Sequence, residues 1–273
     1  MAQTRVDVQP LIDRAVEAYK RGLVARKPGL VWDYLVLTAA NEHQAAGYRH
    51  ELSARCSGVG PHGSFFSSSQ HFLVVPDPPG IRAGSGGATF NVLREIIAHQ
   101  KQLKDRRPLE QLRILLIHSG GASQRLPMYS PLGKIFSPLP LQRPDGALSS
   151  LFDHLYLMLA PLPEKLGPGM LVAAGDVFLL FDGAAMPAGA HGITALSMRV
   201  PAAMGEAHGI FCVDPSDRSP MPRVTACMQK ASVEQMQAAG ATDAQNQVLI
   251  DTGLLFFDAV SYTHLTLPTK RIV

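Results

Sequence analysis

The segment Leu112–Ile117, apolar except for Arg113, runs without a break into His118, Ser119, Gly120 and Gly121. A strand this apolar is buried on both faces. Parallel sheets covered by helices provide that environment, and one-sided antiparallel meanders do not. The glycine pair ends the strand abruptly and frees the backbone to come close to a ligand. A chain with this feature folds as a sheet between helical layers, with a loop at the carboxyl end of a central strand, where open α/β sheets bind ligands.

The rest of the chain alternates in the same way. Leu11, Ile12, Ala15, Val16, Tyr19 and Leu23 recur at helical spacing and stop before Pro28. Tyr34–Thr38 reads as a buried strand, followed by a helix start at Asn41 with Gln44 in capping-box position. Residues 58–69 are loop by composition, and His71–Val75 is a second strand. A glycine-rich turn, Gly84–Gly87, opens a helix expected to bury Phe90, Leu93, Ile96 and Ile97. Ser150 caps a helix that Pro161 ends, and Met170–Ala174 is a further strand stopping at Gly175 and Asp176. Gly192–Leu196, Gly209–Val213 and Val248–Phe257 are three more strands, and Ser232 and Gly240 bracket a short helix at Val233–Ala239. No internal repeat is visible. The alternation predicts an α/β fold built on a doubly wound, mostly parallel sheet.

Composition narrows the function classes. The 273 residues are 46% hydrophobic and 17% charged, which excludes a disordered chain. No run approaches the ~18 uninterrupted apolar residues of a membrane span, and the first residues lack a secretory pattern. Cys56, Cys212 and Cys227 are odd in number and far apart, so neither a disulfide framework nor a zinc site is expected, and a cytoplasmic setting is. A formal charge of +3 from scattered basic residues gives no reason to expect nucleic acid. The stretch 260–273 breaks the pattern, and Val260–Thr269 resembles the translation of a transposase adapter used in sequencing libraries. Residues 1–259 are therefore taken as the domain and 260–273 as non-native, with a longer natural protein expected beyond.

After Gly121 come Ser123, Arg125, Pro127, Pro131 and Lys134. Glycine N–H groups aimed at one point, a guanidinium and an ammonium suit a polyphosphate, and the prolines limit where each charge can go. A glycine pair alone is ordinarily a turn. The segment is no Walker loop, because Ile135 follows Lys134, and neither glycine-rich stretch spells a dinucleotide fingerprint. Asp176, at a strand end, suits either a turn or a hard cation. Gly84, Ser85, Gly86, Gly87, Ala88 and Thr89 suit a phosphate at a helix start, as in small-molecule kinases, or a plain strand-to-helix turn.

These segments, Gly84–Thr89, Leu115–Gly121, Ser123–Pro127 and Leu132–Phe136, together with His208–Asp214 and Asp251–Phe257, resemble the sugar-phosphate nucleotidyltransferases. The nearer resemblance is to the fucose-1-phosphate guanylyltransferases and the pyrophosphorylase portion of the L-fucokinase family, over about Trp32 to Asp258. The resemblance implies a Rossmann-like nucleotide-diphospho-sugar transferase fold that joins GTP to a sugar 1-phosphate such as L-fucose 1-phosphate and releases pyrophosphate. It assigns Arg125 and Lys134 to catalysis and Asp176 to Mg²⁺. Gly84–Thr89, Ser119, Gly120, Gly121 and Ser123 fall to the nucleotide, and Gly209, Lys230, Asp251, Thr252 and Gly253 to the sugar. It also implies β-helical and, in some members, kinase portions absent here. Lys230 is equally readable as a solvated lysine, His118 as structural, and His208 as a turn beside the sugar. A sugar kinase and a non-catalytic sugar-nucleotide sensor are the alternatives; ADP formation would mark the first, and the retained charges argue against the second.

Overall fold

In the computed structural model, residues 8–25, 29–56, 66, 70–121 and 133–261 are described. They fall into two units, 1–193 with 256–273, and 194–255.

The first unit begins with α1 (Gln9–Ala25), β1 (Tyr34–Ala39), α2 (Glu42–Cys56), β2 (His71–Pro76), α3 (Gly84–Leu103) and β3 (Arg113–His118). It continues with β4 (Pro138–Gln142), β5 (Leu148–Ser150), α4 (Leu151–Leu159), α5 (Leu162–Leu166) and β6 (Gly169–Ala174). β1 lies between β2 and β3, and β3 between β1 and β6, every pair parallel. Tyr34, Val36, Ile114 and Leu116 turn toward Val92, Leu93 and Ile96 of α3. Their neighbours Leu35, Leu37, Leu115 and Ile117 point the other way and are equally buried. The sheet is therefore covered on both faces, as the apolar strands predict. α2 touches β1 and β2 but adds nothing to α3's cluster, which places it on the second face.

Capping signals worked, with one change. Asn41 accepts from Gln44 N–H at 2.9 Å, but the Gln44 side chain accepts from Ala40 N–H at 2.8 Å rather than from Asn41. Ser150 forms a full capping box with Asp153, and Ser232 forms one with Gln235. The expected face of α3 needs correction: Phe90 and Ile97 are exposed, and Ala88, Val92 and Ile96 form the buried row with Leu93. At 3.6 residues per turn, Phe90 and Ile97 lie roughly 100° or more from the centre of that row.

The second unit contains most of β7 (Ile193–Pro201), then α6 (Ala202–Gly205), β8 (Gly209–Val213), β9 (Val224–Gln229), α7 (Val233–Ala238) and most of β10 (Gln247–Asp258). β8 pairs antiparallel with β9 and with β10. Val200, Ala202, Ile210, Met236, Val248 and Ile250 form its core. The mostly parallel expectation thus holds for the first unit and is corrected in the second. Sequence reading missed β9 because only Met228 along it is even half-buried, so no apolar alternation marks it. At the chain's end, Ser261 sits in a helical turn and donates its N–H to Asp258 at 2.7 Å. Residues 262–273 lie outside the described residues. No helix among the described residues is long and apolar enough to cross a membrane, and all three cysteines are free.

Candidate active site

Strand register sets the site. Thr38 of β1 is level with His118 of β3, and His118 with Ala174 of β6, so three strands end on one row. The turns beyond them press together. A Cβ on Gly120 would stand 2.9 Å from the Ala39 carbonyl carbon, and one on Gly175 would stand 2.9 Å from the His118 oxygen. Neither position admits a larger residue without backbone movement. Gly175 N–H donates to that same oxygen at 2.9 Å, which fixes Asp176 directly beyond the Ser119 turn.

Side chains hold the Ser119–Gly121 loop from beneath. Thr38 Oγ1 accepts from Ser119 N–H at 3.2 Å and from Gly120 N–H at 3.5 Å. Ser119 Oγ donates to Thr38 O at 2.8 Å, Tyr48 Oη to Ser119 O at 2.9 Å, and Gln44 Nε2 to Gly121 O at 3.3 Å. Burial pushes the Tyr48 phenol up to about 12, so it remains a donor. Tyr48 also lies under Gly133, whose φ of 65° only glycine adopts easily, and a Cβ there would overlap the phenol oxygen. One tyrosine thus sets the Ser119 loop and the turn carrying Lys134. Sequence reading assigned Tyr48, Gln44 and Thr38 no place at this site: Gln44 read only as a helix cap, and only the hydroxyl of Thr38, near the end of an apolar strand, offered a signal.

Gly84, Ser85 and Gly86 are exposed at the start of α3, where Ala83 supplies no side-chain cap. The first N–H groups of this helix therefore face outward, a setting that favours anions. Ala88 is buried in the core, and Thr89 lies within the helix. Thr89 Oγ1 donates to Ser85 O at 2.8 Å and pairs with His118 Nε2 at 3.1 Å, linking the two glycine-rich segments.

Lys134 opens a 3-10 turn, Lys134–Phe136. Asp176 is exposed, and among the described residues its carboxylate makes no hydrogen bond or ion pair. The chain after it is anchored by His154, whose Nε2 donates to Leu179 O at 2.6 Å and whose ring stacks on Phe178 at 4.2 Å. Ser123 and Arg125 lie outside the described residues. No three His, Cys, Asp or Glu side chains gather into a possible metal cage among the described residues. One open carboxylate fits a hard cation shared with substrate phosphates, not one enclosed by protein.

In the second unit, Gly209 packs against Gln229 and Asp251: a Cβ on it would lie 2.8 Å from Gln229 Nε2 and 3.4 Å from Asp251 Cβ. Lys230, with φ of 49°, donates its N–H to His208 O at 3.1 Å. Asp251 Oδ1 accepts from Gly253 N–H at 2.8 Å, and Thr252 Oγ1 donates to Leu196 O at 2.6 Å. Gly209, Lys230 and Asp251 are thus neighbours. Thr252 has its hydroxyl committed to backbone, and Gly253, with φ of 78°, bends β10. Gln229 joins this group and was not foreseen.

Residues 106–270 match the model of the fucose pyrophosphorylase domain. The chain belongs to that family. It is 30% identical over 263 residues to the bifunctional fucokinase/GDP-fucose pyrophosphorylase of Arabidopsis thaliana, covering 87% of this chain and 24% of that protein. It is 35% identical over 205 residues to the fucose-1-phosphate guanylyltransferase of Homo sapiens, covering 71% of this chain and 30% of that protein. An L-fucokinase/L-fucose-1-P guanylyltransferase of Bacteroides fragilis matches at 30% over 190 residues, 67% of this chain and 19% of that protein. This fucose pyrophosphorylase-family chain spans less than a third of the length of these curated relatives.

Proposed function

We propose that this chain carries the nucleotidyl-transfer site of a sugar-1-phosphate guanylyltransferase, with GTP and L-fucose 1-phosphate as substrates. The observation that carries the reading is the link between two glycine-rich segments, Thr89 to His118, with the Asp176 turn seated on the second of them. Family membership and the names of the relatives support the same chemistry.

In this reading a phosphate oxygen of the sugar phosphate attacks the α-phosphorus of the triphosphate. The bond from that phosphorus to the bridging oxygen breaks, and pyrophosphate leaves with the electron pair. No protein nucleophile is needed, so positioning and charge stabilisation do the work. The N–H groups of Gly121 and of the first turn of α3 would donate to phosphate oxygens, with Ser123 beside them, while Ser119 and Gly120, whose N–H groups go to Thr38, would shape the loop around the nucleotide. Arg125 would stabilise charge on the α-phosphate and the departing pyrophosphate, and Lys134 would hold a phosphate. Asp176 would hold Mg²⁺, which when bound neutralises charge on the phosphates. Gly209, Lys230, Asp251, Thr252 and Gly253 would contact the sugar phosphate. The missing portions of the relatives are consistent with kinase or further domains in the whole protein. A pyrophosphate-release screen of four nucleoside triphosphates against several hexose 1-phosphates tests the reading. Turnover fastest with GTP and fucose 1-phosphate is expected; ADP formation from ATP and free sugar, without pyrophosphate, would overturn it.

A further inference from the structure

We propose that His118 is a positioning residue: its imidazole joins the Ser119–Gly121 loop to the first turn of α3 through a chain of hydrogen bonds that runs in one direction. This inference rests on the nucleotidyl-transfer reading for what the two segments hold.

The direction follows from counting donors. Thr38 Oγ1 already accepts two backbone N–H groups, from Ser119 and Gly120. Its own proton therefore goes outward, to His118 Nδ1 at 3.4 Å. With Nδ1 accepting, the ring carries its proton on Nε2 and donates it to Thr89 Oγ1 at 3.1 Å. Thr89 in turn donates to Ser85 O at 2.8 Å, within the exposed glycine-rich turn. Every group in the chain has one consistent role, and only the neutral Nε2–H tautomer satisfies them all. An imidazolium would present a third donor to Thr38 Oγ1, competing with the N–H of Gly120, its longest partner. Burial favours the neutral ring, and Asp77, beyond β2, pulls weakly the other way. The loop N–H groups and the helix turn are thereby held in one arrangement before any phosphate arrives.

The test uses the protein as it is, with two probes, GTP and inorganic pyrophosphate. Long-range nitrogen–proton spectra of His118 without ligand report the tautomer. Nε2–H is expected, and Nδ1–H overturns the relay whatever the reaction proves to be. In calorimetric titrations His118→Phe is expected to weaken binding of both probes about tenfold, the scale of one or two lost hydrogen bonds. His118→Gln, which keeps a donor near the Nε2 position, should recover part of the loss, and it serves if the Phe variant is poorly folded. Thr89→Val should weaken binding similarly in the wild type and add little in His118→Phe, whereas Thr89→Ser should restore it. Equal affinity of His118→Phe and wild type, or fully additive losses, overturns this inference while leaving the transferase reading standing. Wild-type protein that binds neither probe overturns both.

Discussion

The buried carboxylate of Asp153 receives Arg55 through two hydrogen bonds, 2.7 Å from Nε and 3.0 Å from Nη2. The same carboxylate caps α4 by accepting from Ser150 N–H and Oγ at 2.7 Å each, and Arg143 of the β4–β5 hairpin lies 3.8 Å away. One acid thus ties α2, α4 and the hairpin together. Arg55→Ala should cost about 3–5 kcal/mol in denaturant unfolding, because it takes both hydrogen-bonded guanidinium contacts from a buried carboxylate and leaves only Arg143, at 3.8 Å, to balance its charge. A loss below about 1 kcal/mol, the scale of an exposed pair, would contradict this.

Gly133→Ala tests the double role of Tyr48. The new methyl meets the phenol in a backbone conformation that alanine resists. Strain and overpacking together should cost about 2–5 kcal/mol. Thermal unfolding measures it, and Tyr48→Phe in the same chain should return part of the loss by removing the hydroxyl.

Mild acid should weaken the fold through three buried or half-buried histidines. Burial leads the causes that lower the imidazoles of His71, His118 and His154 below their ordinary 6.5. In the window beneath 6.5 the unfolded chain binds more protons than the folded one, so stability rises with pH and is lost as pH falls. Melting temperature should decline between about pH 7 and pH 5. A flat profile there would refute the linkage.

Arg125→Ala should lower turnover about a hundredfold or more, the scale of losing one preorganised electrostatic donor. Substrate affinity should change less. Steady-state kinetics with saturating substrates decide it, and near-normal turnover would remove this residue from the chemistry.

Asp176→Asn keeps the shape and deletes the charge. Because the side chain is exposed and without a partner among the described residues, the melting temperature should hold while Mg²⁺-dependent activity falls by most of its value. An unchanged Mg²⁺ titration, in both half-saturation and maximum, would sink the metal role.

Much of the first unit was legible because strands buried on both faces leave long apolar runs, and because Ser150 and Asn41 cap by their own chemistry. The second unit was not, since β9 exposes nearly all of its residues and carries no alternation to read. The glycine-rich segments announced themselves through composition. What joins them did not: strand register makes neighbours of Thr38 and His118, and Tyr48 and Thr89 reach the same loop from α2 and α3. Gln229 was hidden for the same reason, since it reaches Gly209 through antiparallel pairing.

The shared row of Thr38, His118 and Ala174 also decides which length changes this family can accept. Side chains alternate across a sheet, so one residue inserted within β3 would turn the imidazole to the opposite face and bring its neighbour into its place. The error would not be local, because the Gly175 turn hangs from the same carbonyl. Insertions in the tip of the β4–β5 hairpin, around Gly146, would leave that row untouched. Variation in length among related chains should therefore collect at such tips, with the strand cores spared: the spacing from Thr38 back to Tyr34, and from His118 back to Ile114, is a ruler that natural divergence can relabel but not stretch.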